Sequence, residues 1–411
     1  MTDQGDFAAA PALPRRRFLQ GIGAVAAAGL SAPLIGAEAA GAAPAPRRRR
    51  PKLAAAGSTP IEHIVVLCQE NHSFDTYFGT YKKLPAGYGI PAGYTVGGVA
   101  PWHFTDDTDN DNDPYHDWTT IHGEYDDGKM DGFVSENGKN AMGYYDEADL
   151  PHYYKYAKEY TLMANYFCGM LSDTYPNRMV LYAGTSGGNT GNSINNGSQD
   201  FPCILDALTT GGITFKNYNF HCPSNYSILA LWKNWATGGA DNELNQTPDD
   251  FRADCKNGTL PQVSFVTNEP PYDEHPPENI HTGQNLMNTI IKDVMASKVW
   301  DSTAVILTYD EGGGFFDHIA PTQLDAYGPG IRVPTLIISP YAKTDYIDTT
   351  FSEHSSVLKF IEYVFDLPAL ASINTSFNKS TPTTNNATNG AAFPPRDGNA
   401  AISNLTQCFN F

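Results

Sequence analysis

Two short apolar segments, each followed at once by polar side chains, constrain the fold of this chain most strongly. Residues 61–68 and 304–309 are rich in aliphatic and β-branched residues, which is typical of strands buried on both faces of a parallel sheet. In such sheets, functional groups lie beyond the carboxyl ends of the strands. We therefore expect one edge of the sheet to collect the polar residues that follow the two segments, namely Glu70, Asn71, Asp310 and Glu311.

The rest of the chain alternates short apolar segments with amphipathic ones. Further strands are predicted over residues 213–218, 262–266 and 334–339, and helices over residues 149–164, 176–182, 204–209, 226–236, 283–297 and 353–365. Residues 80–130 are rich in Gly, Pro, Asp and Tyr, and are predicted to form a long excursion. This alternation of strands and helices predicts an α/β fold with a mostly parallel sheet flanked by helices.

The composition excludes several classes of protein. Of the 411 residues, 41% are hydrophobic and 12% are aromatic, which is inconsistent with a disordered chain or a coiled coil. The formal net charge is −19. A general nucleic-acid-binding protein needs a basic surface to neutralise phosphates, so this charge argues against nucleic acid as a partner.

Residues 1–52 are predicted to be an export signal and a linker rather than part of the fold. Three arginines, Arg15 to Arg17, precede Phe18 and a small apolar run over residues 21–36, which is the twin-arginine pattern. The alternative is a membrane anchor, but this run is shorter than the ~20 residues that span a bilayer, so we expect no stable membrane span. The twin-arginine export machinery would deliver the protein to the periplasm, the cell surface or the extracellular space.

The predicted export signal hides part of the acidity of the mature chain. Residues 1–52 carry eight basic and three acidic side chains, which leaves a charge of −24 for residues 53–411. An acidic protein is repelled by anionic membranes, so zwitterionic or soluble substrates are the better expectation.

The six cysteines do not resemble a metal site. None of them forms a CxxC pair, and disulfide pairing is left open, with Cys203 and Cys222 the closest pair in sequence. Cys68 ends the first apolar segment and is predicted to be a buried free thiol.

The polar residues at the two strand ends predict a metal site. All four side chains offer oxygen atoms, the ligand type that hard and borderline divalent cations prefer. A single pair of strand-end carboxylates would more simply cap a helix or bind loop amides. Two pairs at the ends of two apolar strands favour one divalent metal ion of undetermined identity.

Thr174 is a candidate nucleophile because it comes directly before a predicted helix. Pro176 favours the first turn of that helix, and the positive end of the helix dipole attracts anions. The simpler alternative is that Thr174 is only the N-cap of the helix. Beside a metal ion, the same hydroxyl would be suited to attack a phosphorus atom.

Four histidines lie in polar turns or at the ends of predicted elements: His116, His275, His318 and His354. Each one alone is compatible with a surface or capping role. Together they can supply a general acid and hydrogen bonds to a phosphate.

Residues 106–113 (DDTDNDND) resemble a calcium-binding loop only superficially. They lack the Gly at position six and the Glu at position twelve of an EF-hand. We interpret them as a solvated acidic loop, with an incidental calcium site as the alternative.

Several ordered blocks within residues 60–366 resemble the bacterial phosphoesterase family of phospholipases C and related acid phosphatases. The blocks are residues 61–67, 70–75, 77–79, 142–145, 150–151, 174–178 (TYPNR), 274–276 (EHP), 310–318 (DEGGGFFDH) and 354–358. The threonine followed by Pro-Asn-Arg is closer to the phospholipase C branch. The chain departs from the family pattern at His72, and at Ser172-Asp173, where a Gly-Pro pair is common.

The resemblance implies an alkaline-phosphatase-like core, which we assign to residues 53–370. Residues 371–411 are rich in Asn, Thr, Ser and Pro, and this composition predicts an irregular extension. The resemblance also implies a metal ion held by Glu70, Asn71, Asp310 and Glu311, with Thr174 as nucleophile and further metal contact. His116, His275 and His354 match histidines that would contact phosphate or protonate the leaving group, and His318 belongs to one of the blocks.

The sequence thus predicts an exported, metal-dependent phosphoric ester hydrolase of the phospholipase C type, acting on a phospholipid or a related phosphoester. The main alternative is a broad-specificity acid phosphatase that uses the same atoms. A non-catalytic surface protein is less favoured, since every functional position is filled. A sulfatase is also disfavoured, because the C/S-x-P-x-R motif is missing from the sequence.

Overall fold

A computed structural model describes residues 59–104, 113–220, 228–236, 246–373 and 394–411. The predicted export signal, residues 106–112 of the acidic segment and Cys222 lie outside the described residues.

The strands of the described residues are β1 (His63–Gln69), β2 (Trp102–His103), β3 (Gly143–Tyr144), β4 (Thr161–Met163), β5 (Tyr166–Phe167), β6 (Phe215–Phe220), β7 (Val263–Asn268), β8 (Thr303–Tyr309), β9 (Leu336–Ile338), β10 (Tyr346–Asp348) and β11 (Ser352–Glu353). Seven of them form one sheet in the order β10-β4-β9-β8-β1-β7-β6. Every neighbouring pair is parallel except those that include β9. The prediction of a mostly parallel sheet is therefore confirmed.

The α-helices of the described residues are α1 (Phe74–Phe78), α2 (Trp118–Tyr125), α3 (Phe133–Asn137), α4 (Pro151–Glu159), α5 (Thr174–Ala183), α6 (Ile204–Gly211), α7 (Pro248–Asn257), α8 (Ile280–Met295), α9 (Ser355–Phe365) and α10 (Leu370–Ile373). Helix α4 packs on β4 and β9, α7 packs on β6, and α5 packs on α9. The sheet is thus flanked by helices, as the sequence predicts.

Strands β1 and β8 form the centre of the core. Val65, Leu67 and Ile306 are fully buried, as expected for continuous apolar strands that are covered on both faces. Burial of each such side chain contributes roughly 1.5–3 kcal/mol to folding. The register pairs Gln69 with Tyr309, so the chain leaves both strands at the same level of the sheet. This register brings the two predicted polar clusters side by side.

Three predicted elements differ from the structure. The helix predicted over residues 149–164 ends as α4 at Glu159, and Thr161–Met163 form strand β4 instead. Residues 228–231 form only a short 3-10 turn where a helix is predicted over residues 226–236. The following Trp232 and Lys233 are drawn into hydrogen bonds with Leu229 and Gln199 instead of continuing a helix. The strand predicted over residues 334–339 forms as β9, but it runs antiparallel to its neighbours.

The C-terminal residues 394–411 are largely irregular, as predicted, but they enter the core as well as the surface. Leu405 and Cys408 are fully buried, and the Phe409 ring stacks on Phe360 at a centroid distance of 5.0 Å. The Arg396 N–H donates to Gly184 O over 2.8 Å, at the end of α5. This segment therefore supports α5 from its C-terminal end.

The described cysteines Cys68, Cys168, Cys203, Cys255 and Cys408 are buried free thiols, which confirms the prediction for Cys68. Burial raises the pKa of Cys68 to about 12. Within the described residues, we find no helix that is both long and apolar enough to cross a membrane.

We expect Glu362 to make the stability of the fold pH-dependent. Burial, and then the neighbouring Asp397, raise the pKa of Glu362 to about 9. A raised folded-state pKa means that its stabilising contribution is complete below the unfolded value near 4.5, and that it is lost progressively as the pH rises from there to the folded value of about 9. Glu362→Gln should therefore be more stable than the wild type by about 1–4 kcal/mol at pH 8, with little difference at pH 4.5.

Urea unfolding followed by circular dichroism at several pH values measures this difference. Glu62→Gln is the matched control, because Glu62 is exposed, and its stability should follow that of the wild type. A wild type as stable as Glu362→Gln at pH 8 would contradict the expectation.

Candidate active site

Helix α5 places Thr174 at the edge of the sheet. The N-cap is Asp173, which has an extended backbone, and Thr174 is the first helical residue. The helix ends at Gly184, whose φ of 70° is in the left-handed region that favours glycine. The Thr174 hydroxyl donates to Glu311 Oε1 over 3.3 Å. Thr174 is therefore not the helix cap, and its side chain faces one of the predicted metal ligands.

The two strand ends bring the predicted polar pairs together. Asn71 adopts a φ of 60°, which turns the chain sharply after β1. Its N–H donates to Asp310 Oδ1 over 3.3 Å. The two predicted pairs are therefore in hydrogen-bond contact, and the metal site between them stays a prediction.

Arg178 is a member of this cluster that the sequence analysis did not assign. It lies four residues after Thr174, on the same face of α5. Its Nε donates to Asp310 Oδ2 over 3.0 Å, and its Nη2 donates to Glu70 Oε1 over 2.8 Å. The i, i+4 spacing from Thr174 is the signal in the sequence that could have identified it.

The carboxylates of the cluster resist ionisation in this environment. Burial raises the pKa of Glu311 well above its usual value, and the charges of Asp310 and Asp173 raise it further. Burial and Glu70 raise the pKa of Asp310 to about 6, although Arg178 opposes them. Additional positive charge at this place would stabilise the ionised carboxylates.

The residues present fit a divalent cation. Among the described residues, Glu311 Oε2 and Asn71 Oδ1 are buried oxygen atoms without a hydrogen-bond partner. Together with Thr174 Oγ1 they offer the oxygen donors that a hard cation prefers. Glu70 and Asp310, the other predicted ligands, already bind Arg178.

Three groups of side chains in the described part of the chain hold their candidate ligand atoms closer together than this cluster does. Within each group, the ligand atoms lie within 4.8 Å of one another. The groups are Asp113-His116-His275, Asp75-Asp317-His318 and His103-Asp146-Asp149. The predicted carboxylate cluster is looser because Arg178 stands between Glu70 and Asp310. The identity and the number of the metal ions stay predictions.

His116 and His275 lie beside each other at the margin of the cluster, with ring centroids 5.6 Å apart. His116 Nδ1 donates to Pro114 O over 2.6 Å, and Asn71 Nδ2 donates to His116 Nε2 over 3.4 Å. His275 Nδ1 donates to Pro276 O over 2.7 Å. Burial lowers the pKa of His275, but Glu70 and Asp113 outweigh it and leave the pKa above its usual value.

His354 and His318 make different contacts. The buried His354 donates from Nε2 to Asp310 O over 2.7 Å, and Tyr166 OH donates to its Nδ1 over 3.2 Å. His318 binds Asp75 through Nδ1, and its Nε2 donates to Gly87 O over 3.2 Å. Both nitrogens of each ring are therefore occupied. The structure brings His116 and His275 to the margin of the site, whereas His354 supports it from behind and His318 lies in a separate ion-pair network.

That network is a second feature that the sequence analysis missed. The fully buried Arg332 donates from Nη2 to Asp75 over 3.0 Å and from Nε to Asp317 over 2.9 Å. It ties the segment after β1 to the segment after β8. The sequence places these residues in polar turns but gives no sign of their pairing.

Comparison with known proteins identifies relatives of this chain. Residues 61–368 match the model of the Phosphoesterase family. A non-hemolytic phospholipase C of Pseudomonas aeruginosa is 28% identical over 375 residues, which cover 74% of this chain and 54% of that protein. Phospholipase C A of Mycobacterium tuberculosis is 30% identical, with 96% of this chain and 90% of that protein covered. The chain thus spans about half the length of the Pseudomonas relative.

The backbone is also similar to that of a solved protein from Vibrio parahaemolyticus, described as a member of the alkaline phosphatase superfamily. The TM-score is 0.40 and the identity 10%, with 75% of this chain and 67% of the other covered. The two backbones are therefore only loosely similar.

We expect Glu311→Gln to remove most of the metal from the purified protein. The amide keeps the shape of the side chain but loses the charge that would bind a cation, while the wild type should retain one divalent ion per chain. Metal content after gel filtration, measured by mass spectrometry, tests this expectation. Glu362→Gln removes a buried carboxylate outside the cluster and should keep its metal. Wild-type metal content in Glu311→Gln would exclude Glu311 as a ligand.

Proposed function

The chain belongs to the Phosphoesterase family, and from this premise we propose that it is a metal-dependent phosphoric ester hydrolase of the phospholipase C type. The observation that carries the proposal is the Thr174 hydroxyl, which faces Glu311 at the start of α5 and at the ends of β1 and β8. A hydroxyl beside buried carboxylates and an arginine suits nucleophilic attack on a phosphoester.

The first chemical step is attack of Thr174 Oγ1 on phosphorus. The bond from Oγ1 to phosphorus forms while the bond from phosphorus to the leaving oxygen breaks. The hydroxyl proton has an acceptor in Glu311 Oε1, 3.3 Å away. The product is a phosphothreonine, which a water molecule then hydrolyses to regenerate the hydroxyl.

The negative charge on the phosphoryl oxygens meets a positive potential at the start of α5. The helix dipole places its positive end at Thr174, and anions are favoured there. The Tyr175 N–H donates to Asn192 Oδ1 over 2.7 Å, so this amide is already engaged. A cation held by Glu311, Asn71 and Thr174, with Glu70 and Asp310 close by, would supply electrostatic stabilisation and a lower pKa for the hydroxyl.

His275 is the best placed histidine to protonate the leaving oxygen. Its Nδ1 is occupied by Pro276 O, which leaves Nε2 as the atom that carries the transferable proton. The nearby carboxylates of Glu70 and Asp113 raise its pKa, which shifts the ring toward the protonated form. His116, beside it, is suited to bind the phosphoryl oxygens.

The proposed substrate is a phosphodiester with a zwitterionic or neutral head group. Relatives of this chain are named phospholipase C, which supports a phospholipid or a related ester. The charge of −24 over residues 53–411 disfavours anionic lipid surfaces. A broad acid phosphatase would use the same atoms, and rates with p-nitrophenyl phosphorylcholine and p-nitrophenyl phosphate distinguish the two activities.

The sharpest test of the proposed mechanism concerns Thr174. Thr174→Ala should lower kcat by at least about 1,000-fold, because the nucleophile is lost. Thr174→Ser should keep measurable activity, because the hydroxyl is retained. Steady-state rates with p-nitrophenyl phosphorylcholine, after the metal content has been measured, compare the variants.

The fold should survive both substitutions, since Asp173 and not Thr174 occupies the N-cap position of α5. Circular dichroism and thermal unfolding provide this control. An active, folded Thr174→Ala enzyme would exclude the covalent mechanism.

We also propose that residues 1–52 direct export through the twin-arginine machinery, which the motif from Arg15 to Leu19 supports. Replacement of Arg15 and Arg16 by Lys should leave the precursor inside the producing bacterium. Cell fractionation and immunoblotting measure its location. A single replacement at Arg48, in the linker, is the matched control and should not impair export. Normal export of the double Lys variant would contradict the proposal.

A further inference from the structure

A buried carboxylate directly behind the site takes no part in the chemistry proposed above. The side chain of Glu274 is fully buried and receives four hydrogen bonds. Gln69 Nε2 donates to its Oε1 over 3.1 Å, and Tyr153 OH donates to the same atom. Tyr77 OH and Tyr309 OH donate to Oε2 over 2.7 and 2.5 Å.

The four donors come from four different segments of the fold. Gln69 ends β1, immediately before the candidate ligand Glu70, and Tyr309 ends β8, immediately before Asp310. Tyr77 lies in α1, and Tyr153 lies in α4. One carboxylate thus connects both strand ends with two helices. Four donors on two oxygen atoms match the hydrogen-bonding capacity of an ionised carboxylate.

The backbone around Glu274 is shaped to hold its side chain in place. Glu274 has a φ of 70°, which lies in the left-handed region. Residues other than Gly, Asn and Asp rarely adopt this conformation. A Cβ atom at Gly283 in α8 would lie 2.1 Å from Glu274 Cγ, so only glycine fits there. Such strain persists only where the surroundings enforce it.

The residues on either side of Glu274 reach the site. The Glu70 N–H donates to Asp273 O over 2.9 Å. The His275 N–H donates to Asp273 Oδ1 over 3.2 Å. Glu274 is therefore the anchored residue of the segment that carries His275.

We propose that Glu274 is a positioning residue, whose carboxylate fixes the His275 segment against the ends of β1 and β8 so that His275 can protonate the leaving oxygen. The inference rests on the proposed function. It assigns to Glu274 an effect on one step only, the breaking of the bond between phosphorus and the leaving oxygen. A p-nitrophenolate ion leaves without a proton, whereas an alkoxide needs one, so the effect should depend on the leaving group.

The experiment compares two phosphorylcholine esters that differ only in the leaving group, p-nitrophenyl phosphorylcholine and a soluble short-chain phosphatidylcholine. His275→Ala provides the reference and should lose about 100-fold in kcat/KM on the lipid and less than about 3-fold on the p-nitrophenyl ester. Glu274→Gln presents an amide that accepts hydrogen bonds on one side only. It should lose about 10-fold on the lipid and less than about 3-fold on the p-nitrophenyl ester.

A second variant guards against a folding defect in Glu274→Gln. The double variant Tyr77→Phe/Tyr309→Phe leaves Glu274 unchanged, removes both donors to Oε2, and should show the same selective loss. Combining Glu274→Gln with His275→Ala should add no further selectivity, because both act on one proton transfer. Glu362→Gln, a buried carboxylate in α9, is the matched control and should keep the wild-type ratio of the two rates.

The outcomes separate the inference from the proposed function. Equal losses on both esters in Glu274→Gln and in the tyrosine variant would show a merely structural role and overturn the inference, as would wild-type rates on both. A wild type that hydrolyses neither ester, while holding its metal, would instead refute the proposed function.

Discussion

Three carboxylates meet at the ends of two adjacent strands, two of them fully buried, and the rest of the site depends on this constraint. Glu70, Asp310 and Glu311 follow β1 and β8, and isolated buried charges of this kind cost several kcal/mol each unless they are paired. Arg178 offsets two of them, while the Thr174 hydroxyl and the positive end of α5 face the third. The same helix therefore balances the negative charge and presents the proposed nucleophile.

Such a cluster requires its supporting segments to be fixed, and two buried polar networks do this from different sides. Arg332 joins the segments that follow β1 and β8 through Asp75 and Asp317. Glu274 joins the last residues of the same two strands to α1 and α4. Because each member has its partners, these networks specify one arrangement of the site rather than a set of near-equal ones.

The sequence predicted the parts of the site that local pattern determines. Continuous aliphatic runs identify β1 and β8, and polar residues directly after them must lie at one edge, since the strands are parallel. The direction of β9 could not be predicted, because an apolar run of this length has no directional signal. Arg178 and Glu274 were not assigned, because a charge in a motif does not reveal which distant carboxylate or tyrosine it will meet.

The histidines show why residue type and position are insufficient to assign a role. His354 begins the turn before α9 and resembles a catalytic residue in sequence, yet burial lowers its pKa to about 4. A ring that is neutral at pH 7, with both nitrogens bonded to Asp310 O and Tyr166 OH, has no proton to give to a leaving oxygen. His275 has the opposite environment, since nearby carboxylates favour its protonated form. The surroundings of each ring thus distinguish the two histidines: His354 holds the carbonyl of Asp310 in place, and His275 is the proposed acid.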